Sequence, residues 1–340
     1  MRSLEFVGRL PGGDSLQLTI TGDDCQFRCG DAAGVRLLLR PLGSDAVALR
    51  LTQPPRFELA RPQVGLMLHA LFEACPGLAE VRLDGPEWSG RLESLSQTGL
   101  IELPDASNAP AVARRALVRQ LPRFWLTQPR EPFPLAYTVT GGKRHPMRPP
   151  IPGGEVYRRH VAQLNSQLSF ETVDPTRHLD AFHRWMNDPR VASFWELAGT
   201  REEHQAYLGK VLADRHMHPV VGCFDGHPFG YFEIYWAKED RIAPYYAVDD
   251  YDRGIHMLVG EPAFRGAHRV AAWLPSLAHY LFLDDPRTRN VVAEPRADNA
   301  KMIGYLQRAG FYKEKEFDFP HKRAAMMILP REVFFDQFCI

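Results

Sequence analysis

A mixed α/β (α+β) fold built on one or two sheets is predicted by three features of the chain. Two strand-turn-helix units follow each other late in the sequence, GIHMLVGEPAFRGAHRVAAWLPSLAHYLF (254–282) and VVAEPRADNAKMIGYLQRAGF (291–311). Before them, PVVGCFDGHPFGYFEIYW (219–236) reads as two strands joined by an Asp-Gly turn, a strong hairpin signal. Near the N-terminus, short apolar runs at Leu4–Val7, Leu16–Ile20, Val35–Leu39 and Val47–Leu51, split by Gly, Asp and Pro, read as an antiparallel meander.

The remaining elements follow in order. A helix is expected near 62–74, a strand near 79–83 and a second helix near 87–97. Residues 141–154, GGKRHPMRPPIPGG, hold four prolines and four glycines and read as a linker or extended crossover. The expected organisation is therefore an N-terminal domain over 1–145, a crossover over 146–165 and a C-terminal domain over 166–340. FHRWMNDPRVASFW (182–195) is a helix broken at Asn-Asp-Pro, because proline disfavours helical geometry in the residue before it. Thr200 and Glu203 form a capping box for the next helix. Pro275 is expected to kink the helix that starts near 267, at a cost of about 3 kcal/mol. In the last unit Asp298 or Asn299 can cap the helix, and Gly310 stops it.

Sliding the chain against itself by 211 positions gives an echo. Val81 falls under Val292, Leu92 under Ile303, Leu95 under Leu306 and Gly99 under Gly310, while Asn299 falls under Trp88. Apolar positions and the helix stop recur; the polar turn residues do not. The echo predicts a duplicated fold whose first copy has lost its ligand-handling residues.

Composition narrows the function. Lysine plus arginine equals aspartate plus glutamate at 41 each, which argues against a nucleic-acid partner. No apolar run reaches the length of about 18 residues needed to span a bilayer, so no membrane association is expected. The start, MRSLEFVGRLPGGDS, has no apolar segment of the export type, and the expected compartment is the cytoplasm. The five cysteines, Cys25, Cys29, Cys75, Cys223 and Cys339, are scattered without metal-type spacing and read as reduced thiols. His216-Met217-His218 lacks a third ligand, so no metal is expected.

Several residues could carry chemistry. Arg265-Gly266-Ala267-His268-Arg269-Val270 lies between a strand and a helix, where unpaired amides and the positive helix end favour a diphosphate. His256 alternates with Ile255 and Met257 in the strand just before that loop. Asp298 stands at the head of the next helix, and Glu294 competes with it for the role of a carboxylate beside His256. Glu233 and Trp236 fall on opposite faces of their strand and could hold a charge and line a channel.

The two units, with the closing spacing N-x-x-x-I-x-x-L-x-x-x-G-F, resemble the core of a GNAT-type acyl-CoA N-acyltransferase. The blocks WMNDPRV, DGHPFGYFEIYWAKEDRIAPYY, DRGIHMLVGEP, VVAEPRADN and GFYKEKEFDFPHKRAAMMILPREVFF narrow that resemblance to the siderophore-biosynthesis acyltransferases, over roughly 170–340. The resemblance implies a mixed sheet splayed between two parallel strands, here 255–259 and 290–294, with acetyl-CoA or another acyl-CoA as co-substrate. It places the donor against Leu258 and Val259, the loop Arg265 to Val270, and Asn299. It makes His256 and Asp298 the catalytic pair for orientation and proton removal, and turns Trp185, Asn187, Glu233 and Trp236 toward the acceptor. Where the family pattern has small residues, His268 and Val270 stand here, and Arg296 occupies a position where some members have aspartate. The implied acceptor is a small N-hydroxylated amine of hydroxylysine, hydroxyornithine or hydroxyputrescine type, acylated to a hydroxamate, and association with enzymes of the same pathway is implied as well. The alternatives are a GNAT enzyme acetylating an aminoglycoside or polyamine, or a non-catalytic acyl-CoA-binding subunit.

Overall fold

Alternating apolar positions build the N-terminal sheet. The computed structural model describes residues 3–337 apart from 12, 33, 53–60 and 105–108, so Cys339 lies outside the described residues. Five strands pair antiparallel in order: β1 (Leu4–Arg9), β2 (Ser15–Thr21), β3 (Asp24–Cys29), β4 (Val35–Pro41) and β5 (Ala46–Leu51). Helix α1 (Arg61–Ala74) leads to β6 (Glu80–Leu83), which runs parallel to β5. After α2 (Leu92–Ser96), β7 (Ala111–Arg114) returns antiparallel to β6, and α3 (Arg115–Val118) follows. Leu16, Leu18, Phe27, Leu37, Leu49 and Val81 are buried here. The second helix expected near 87–97 is shorter than its pattern suggested: a 3-10 turn at Pro86–Trp88 precedes α2. Strand β3 went unpredicted because only Cys25 and Phe27 of its six residues are buried, too few apolar positions to stand out.

The second sheet has eight strands. These are β10 (Glu155–Val161), β11 (Ser166–Thr172), β12 (Met217–Phe224), β13 (His227–Trp236), β14 (Arg253–Val259), β15 (Asn290–Ala293), β16 (Tyr312–Asp318) and β17 (Arg323–Pro330), in the order β10-β11-β12-β13-β14-β15-β17-β16. A separate hairpin, β8 (Tyr137–Thr140) and β9 (Lys143–Pro146), lies within and just before the segment read as a crossover. The basic residues of that segment find partners: Arg148 makes a two-pronged bond to Glu239 at 2.7 and 2.6 Å. By packing, the chain forms two compact units, Met1–Trp125 with Arg159–Gln167, and Leu126–Arg158 with Leu168–Ile340.

The helices of the second unit are α4 (Pro175–Met186), α5 (Pro189–Trp195), α6 (Arg201–Ala213), α7 (Ala267–Asp284), α8 (Ala300–Arg308) and α9 (Arg331–Gln337). Asp188 caps α5 at the predicted break, Thr200 and Glu203 complete the capping box of α6, and Asn299, not Asp298, caps α8 through the Met302 amide. The Asp225-Gly226 turn has both residues at positive φ, 51° and 78°, the geometry that matches hairpin twist. Helix α7 runs through Pro275 as one element.

Strand directions repeat between the sheets. Each has antiparallel strands, then one parallel pair bridged by a long helix (β5/β6 through α1, β14/β15 through α7), then an antiparallel return. This repeated order of strand directions is consistent with the duplication expected from the echo. One difference matters: β5 and β6 pair over four residues, whereas β14 and β15 pair only at Arg253–Val291 and Gly254–Val292. Beyond Gly254, β14 continues to Val259 with no strand along that edge among the described residues.

Candidate active site

The site grows from strand alternation. In β13 and β14, Glu233 lies directly opposite His256, so the two side chains share a face. Tyr231 and Tyr235 project on that face too, and Glu294 arrives from the end of β15. His256 sits between two carboxylates: Nδ1–H donates to Glu233 Oε2 at 3.1 Å and Nε2–H to Glu294 Oε1 at 2.7 Å. Tyr207 of α6 and Tyr231 donate to Glu233 Oε1 at 2.5 and 2.9 Å, and Tyr235 donates to Glu294 Oε2 at 2.7 Å. Trp195 meets the histidine ring edge-on, 6.4 Å between centroids. The result is one chain of hydrogen bonds, Tyr–Glu–His–Glu–Tyr, in which His256 is 22% exposed and Glu294 fully buried.

Electrostatics settle the protonation state. Burial opposes a charged ring, but the Glu294 carboxylate and the hydrogen bonds that the ring donates to both glutamates override it and raise His256 to about 10. Burial likewise opposes ionised Glu294, and the charge of His256 overrides it, holding that carboxyl at about 2. Glu233 is lowered against its own burial by its bond to His256. The tyrosine hydroxyls are pushed up by burial and by the neighbouring carboxylates. At neutral pH the trio is therefore two carboxylates around an imidazolium, with one net negative charge.

The backbone supplies the second component. The bonds Ala237 N–H to Asp252 O and Gly260 N–H to Phe229 O fix the alternation of β14. Even-numbered residues of the strand bond to β13, so the amides of Met257 and Val259 point to the edge that β15 leaves open. Both residues are half-buried, while Leu258 is buried. Arg190 of α5 donates to Val259 O and Gly260 O at 3.0 and 3.3 Å, at the far end of this edge.

The third component is the start of α7. Gly266 caps it at φ 129°, a conformation other residues rarely adopt, with no side-chain cap. Amides of Arg269 and Val270 fold back onto Gly266 O. Those of Ala267 and His268 have no acceptor among the described residues, and both residues are exposed. Such orphan donors, with the positive end of an 18-residue helix, suit an anion. Arg265 is exposed beside them, whereas the Arg269 guanidinium is stacked on Phe224 and Phe264. An open strand edge that leads from a helix N-terminus fits a donor with a pyrophosphate and an amide-containing arm.

Several predicted site residues stand elsewhere. Asp298 does not reach His256: its exposed carboxylate is held by Arg296 at 3.1 and 2.7 Å, which also lowers its pKa, and Glu294 takes the pairing instead. Leu258 turns its backbone to β13, so Met257, missed from the sequence, joins Val259 at the edge. Trp236 projects from the opposite face, sandwiched by the guanidinium groups of Arg148 and Arg253 at 4.2 and 4.0 Å. Trp185 is buried in the core with Leu258, packed so closely on Gly260 that a Cβ there would lie 2.1 Å from its ring. Asn187 ties the end of α4 to Gly199 and His183, and Asn299 is spent on capping α8. His216 and His218 go to different neighbours, Asp240 and Thr172. Glu233 and Glu294 were both named from the sequence; what it did not show is that both bond to His256, which depends on the register of β13 on β14 and on where β15 ends.

Comparison with known proteins decides the family. A model of the acetyltransferase (GNAT) domain matches residues 174–319. The N(6)-hydroxylysine O-acetyltransferase of Escherichia coli is 42% identical over 272 residues, 79% of this chain and 84% of that protein. The chain belongs to the GNAT acyltransferases. A further relative of this GNAT enzyme, the N(5)-hydroxyornithine:cis-anhydromevalonyl coenzyme A-N(5)-transacylase of Beauveria bassiana, is 51% identical over 57% of this chain and 44% of its own length. Among solved structures, an uncharacterized protein from Bacillus halodurans shares 32% identity at a TM-score of 0.51, covering 54% of this chain and 93% of that one. Among the described residues, no helix is long and apolar enough to cross a membrane.

Proposed function

We propose that this GNAT enzyme transfers an acyl group from acyl-CoA, with acetyl-CoA the first donor to test, to the hydroxylamine nitrogen of an N-hydroxylated amino acid or diamine, giving a hydroxamate for siderophore biosynthesis. The observation that carries the reading is the His256 trio, set beside an open strand edge that runs from the α7 amides. The relatives named for hydroxylysine and hydroxyornithine point to the same acceptor class.

When bound, the donor supplies its acyl group as a thioester. The amides of Ala267 and His268, with Arg265, would hold its pyrophosphate, and Met257 and Val259 its arm and acyl carbonyl. A backbone N–H at the carbonyl stabilises the negative charge that develops there. A hydroxylamine nitrogen is less basic than an amine and largely uncharged at neutral pH, so it attacks without prior deprotonation. As the nitrogen–carbon bond forms, the carbon–sulfur bond breaks and coenzyme A leaves as its thiolate, and the proton that the nitrogen loses must find an acceptor. His256 is already an imidazolium and cannot take it, so we assign uptake to a carboxylate of the trio, Glu233 or Glu294, with His256 keeping both ionised until that moment. Asp298 acts in this reading only through Arg296 and the shape of the turn.

The name of the Escherichia coli relative, an O-acetyltransferase, favours a second reading in which the hydroxylamine oxygen is acylated. Purified protein with acetyl-CoA and N(6)-hydroxylysine, N(5)-hydroxyornithine or a hydroxylated putrescine separates these. Thiol release with a product that colours ferric iron and resists free hydroxylamine marks N-acylation. A product of equal mass that gives no colour and is cleaved marks the oxygen. If none of the hydroxylated acceptors releases thiol above background, the reading fails.

We further propose that residues 1–145 are a degenerate GNAT copy with a scaffolding role, joined through 146–165 to the catalytic copy at 166–340. The cytoplasm, where coenzyme A thioesters are made, is the proposed compartment, and association with the hydroxylase that makes the acceptor is proposed with it.

A further inference from the structure

A cluster of cations stands beside the trio and is not used by the mechanism above. The turn between β16 and β17 brings His321 and Lys322 against the ring of Phe319, and Arg241 reaches the same ring from the loop after β13. The Arg241 guanidinium lies 5.3 Å from the ring centre, the Lys322 ammonium 5.7 Å, and the His321 ring 5.4 Å with near-parallel planes. Lys322 donates to the main-chain oxygen of Glu294 at 2.8 Å, so this cluster begins at the residue that clamps His256.

The charges around it are already committed. Arg296 is paired with Asp298, Asp240 with His216, and Glu294 with His256. Among the described residues neither Arg241 nor Lys322 makes a close ion pair; Lys322, half-buried beside buried Phe319, feels the Glu294 and Asp240 carboxylates only at longer range. Burial and the like charge of Arg241 both weigh against the Lys322 ammonium, so an anion lodged between the two cations would be favoured. A hydroxylamine and an acetyl group are both uncharged, so nothing in the reaction as written above calls for these cations.

We propose that Arg241 and Lys322, assisted by His321, recognise a carboxylate carried by the substrate. This rests on the acyl-transfer reading and narrows it. The carboxylate belongs to one of two sources: the acceptor, which is then an N-hydroxylated amino acid and not a diamine, or the far end of a dicarboxylic acyl group on the donor.

The experiment pairs two acceptors with two donors on the full chain, following thiol release. The acceptors are N(6)-hydroxylysine and its decarboxylated counterpart, N-hydroxycadaverine; the donors are acetyl-CoA and succinyl-CoA. With acetyl-CoA, preference for hydroxylysine by about tenfold or more in kcat/KM, expressed in KM, assigns the carboxylate to the acceptor. Good use of hydroxycadaverine only with succinyl-CoA assigns it to the donor. In either case Arg241→Gln, at an exposed position, must erase the preference while leaving kcat within about threefold, and Arg241→Lys must restore part of it. Lys322→Gln should raise the same KM and also lower kcat, because it releases the Glu294 main chain. Equal use of all four combinations, or a preference that survives Arg241→Gln, overturns the proposal and leaves acyl transfer standing. Absence of thiol release from every combination overturns acyl transfer itself.

Discussion

The two sheets follow the same path through their parallel pair, and the difference that bears on function lies where those parallel strands part. In the N-terminal copy the edge of β5 beyond the ladder is sealed from within. Leu49 O accepts from Asp84 N–H at 2.9 Å and from the Trp88 indole at 3.3 Å, and Leu51 N–H donates to Glu87 at 3.0 Å. In the C-terminal copy the positions matching Glu87 and Trp88 are Asp298 and Asn299, one turned out to Arg296 and the other capping α8. The corresponding edge at Met257 and Val259 has no strand beside it among the described residues, and is the proposed seat of the donor's arm. Backbone groups of an interrupted ladder must be satisfied by something. The first sheet uses its own side chains; in the second, by the proposed reading, the donor takes that place.

This contrast can be broken first at the trio. Glu294→Ala leaves a charged His256 in a buried site with one partner fewer. The expected outcome is a loss of about 3–5 kcal/mol in denaturant-induced unfolding and near-complete loss of turnover. The milder Glu294→Gln lowers the pKa of His256, because the opposing charge is gone. In the wild type, stabilisation by the raised His256 is complete below its ordinary value of 6.5 and is lost as pH climbs through about 10. That from the depressed Glu294 is complete above 4.5 and is lost as pH falls through about 2. A pH–rate profile should therefore stay high until about pH 10, and Glu294→Gln should pull that upper limb down. An ascending limb near 6.5 that disappears on replacing His256 would show that the histidine works as a neutral base.

The sealed copy offers the opposite test. Trp88→Ala should cost about 3–5 kcal/mol of stability by opening a cavity, yet leave the KM for acyl-CoA unchanged. A change in that KM without loss of stability would mean that the first copy handles ligand after all. At the start of α7, Gly266→Ala forces a Cβ to within 2.8 Å of the His268 ring at a positive φ. It should raise the KM for acyl-CoA about tenfold with little effect on kcat. The smallest effect is expected for Asp298→Ala, within about twofold in kcat/KM, because an exposed pair with Arg296 contributes little. A loss of a hundredfold there would restore Asp298 as a catalytic group.

What the chain discloses by itself divides along the range of the interactions. Local signals were legible: the Asp-Gly hairpin, the break at Asp188-Pro189, the capping box at Thr200, the helix stop at Gly310. His256 stood out as a histidine among apolar strand residues, and the structure puts it between two carboxylates. Its partners were harder to see. Glu233 is opposite His256 only in one register of β13 on β14, and Glu294 only because β15 ends where the strands part. Asp298 looked as good as Glu294 in sequence; Arg296, two residues before it, captures it first. Trp185 and Trp236 carried the same aromatic signal as a binding wall, but both belong to cores, on Gly260 and between two arginines.

The unsealed edge of β14 also sets how the molecule should respond to heat. A copy whose ladder is finished by its own Trp88 and Glu87 gains nothing from coenzyme, whereas one with idle amides becomes firmer as they are occupied. At a hundred times the dissociation constant, that linkage amounts to about 2.7 kcal/mol. Melting followed by a probe in each half should then show one transition climbing with added coenzyme A while the other stays where it was.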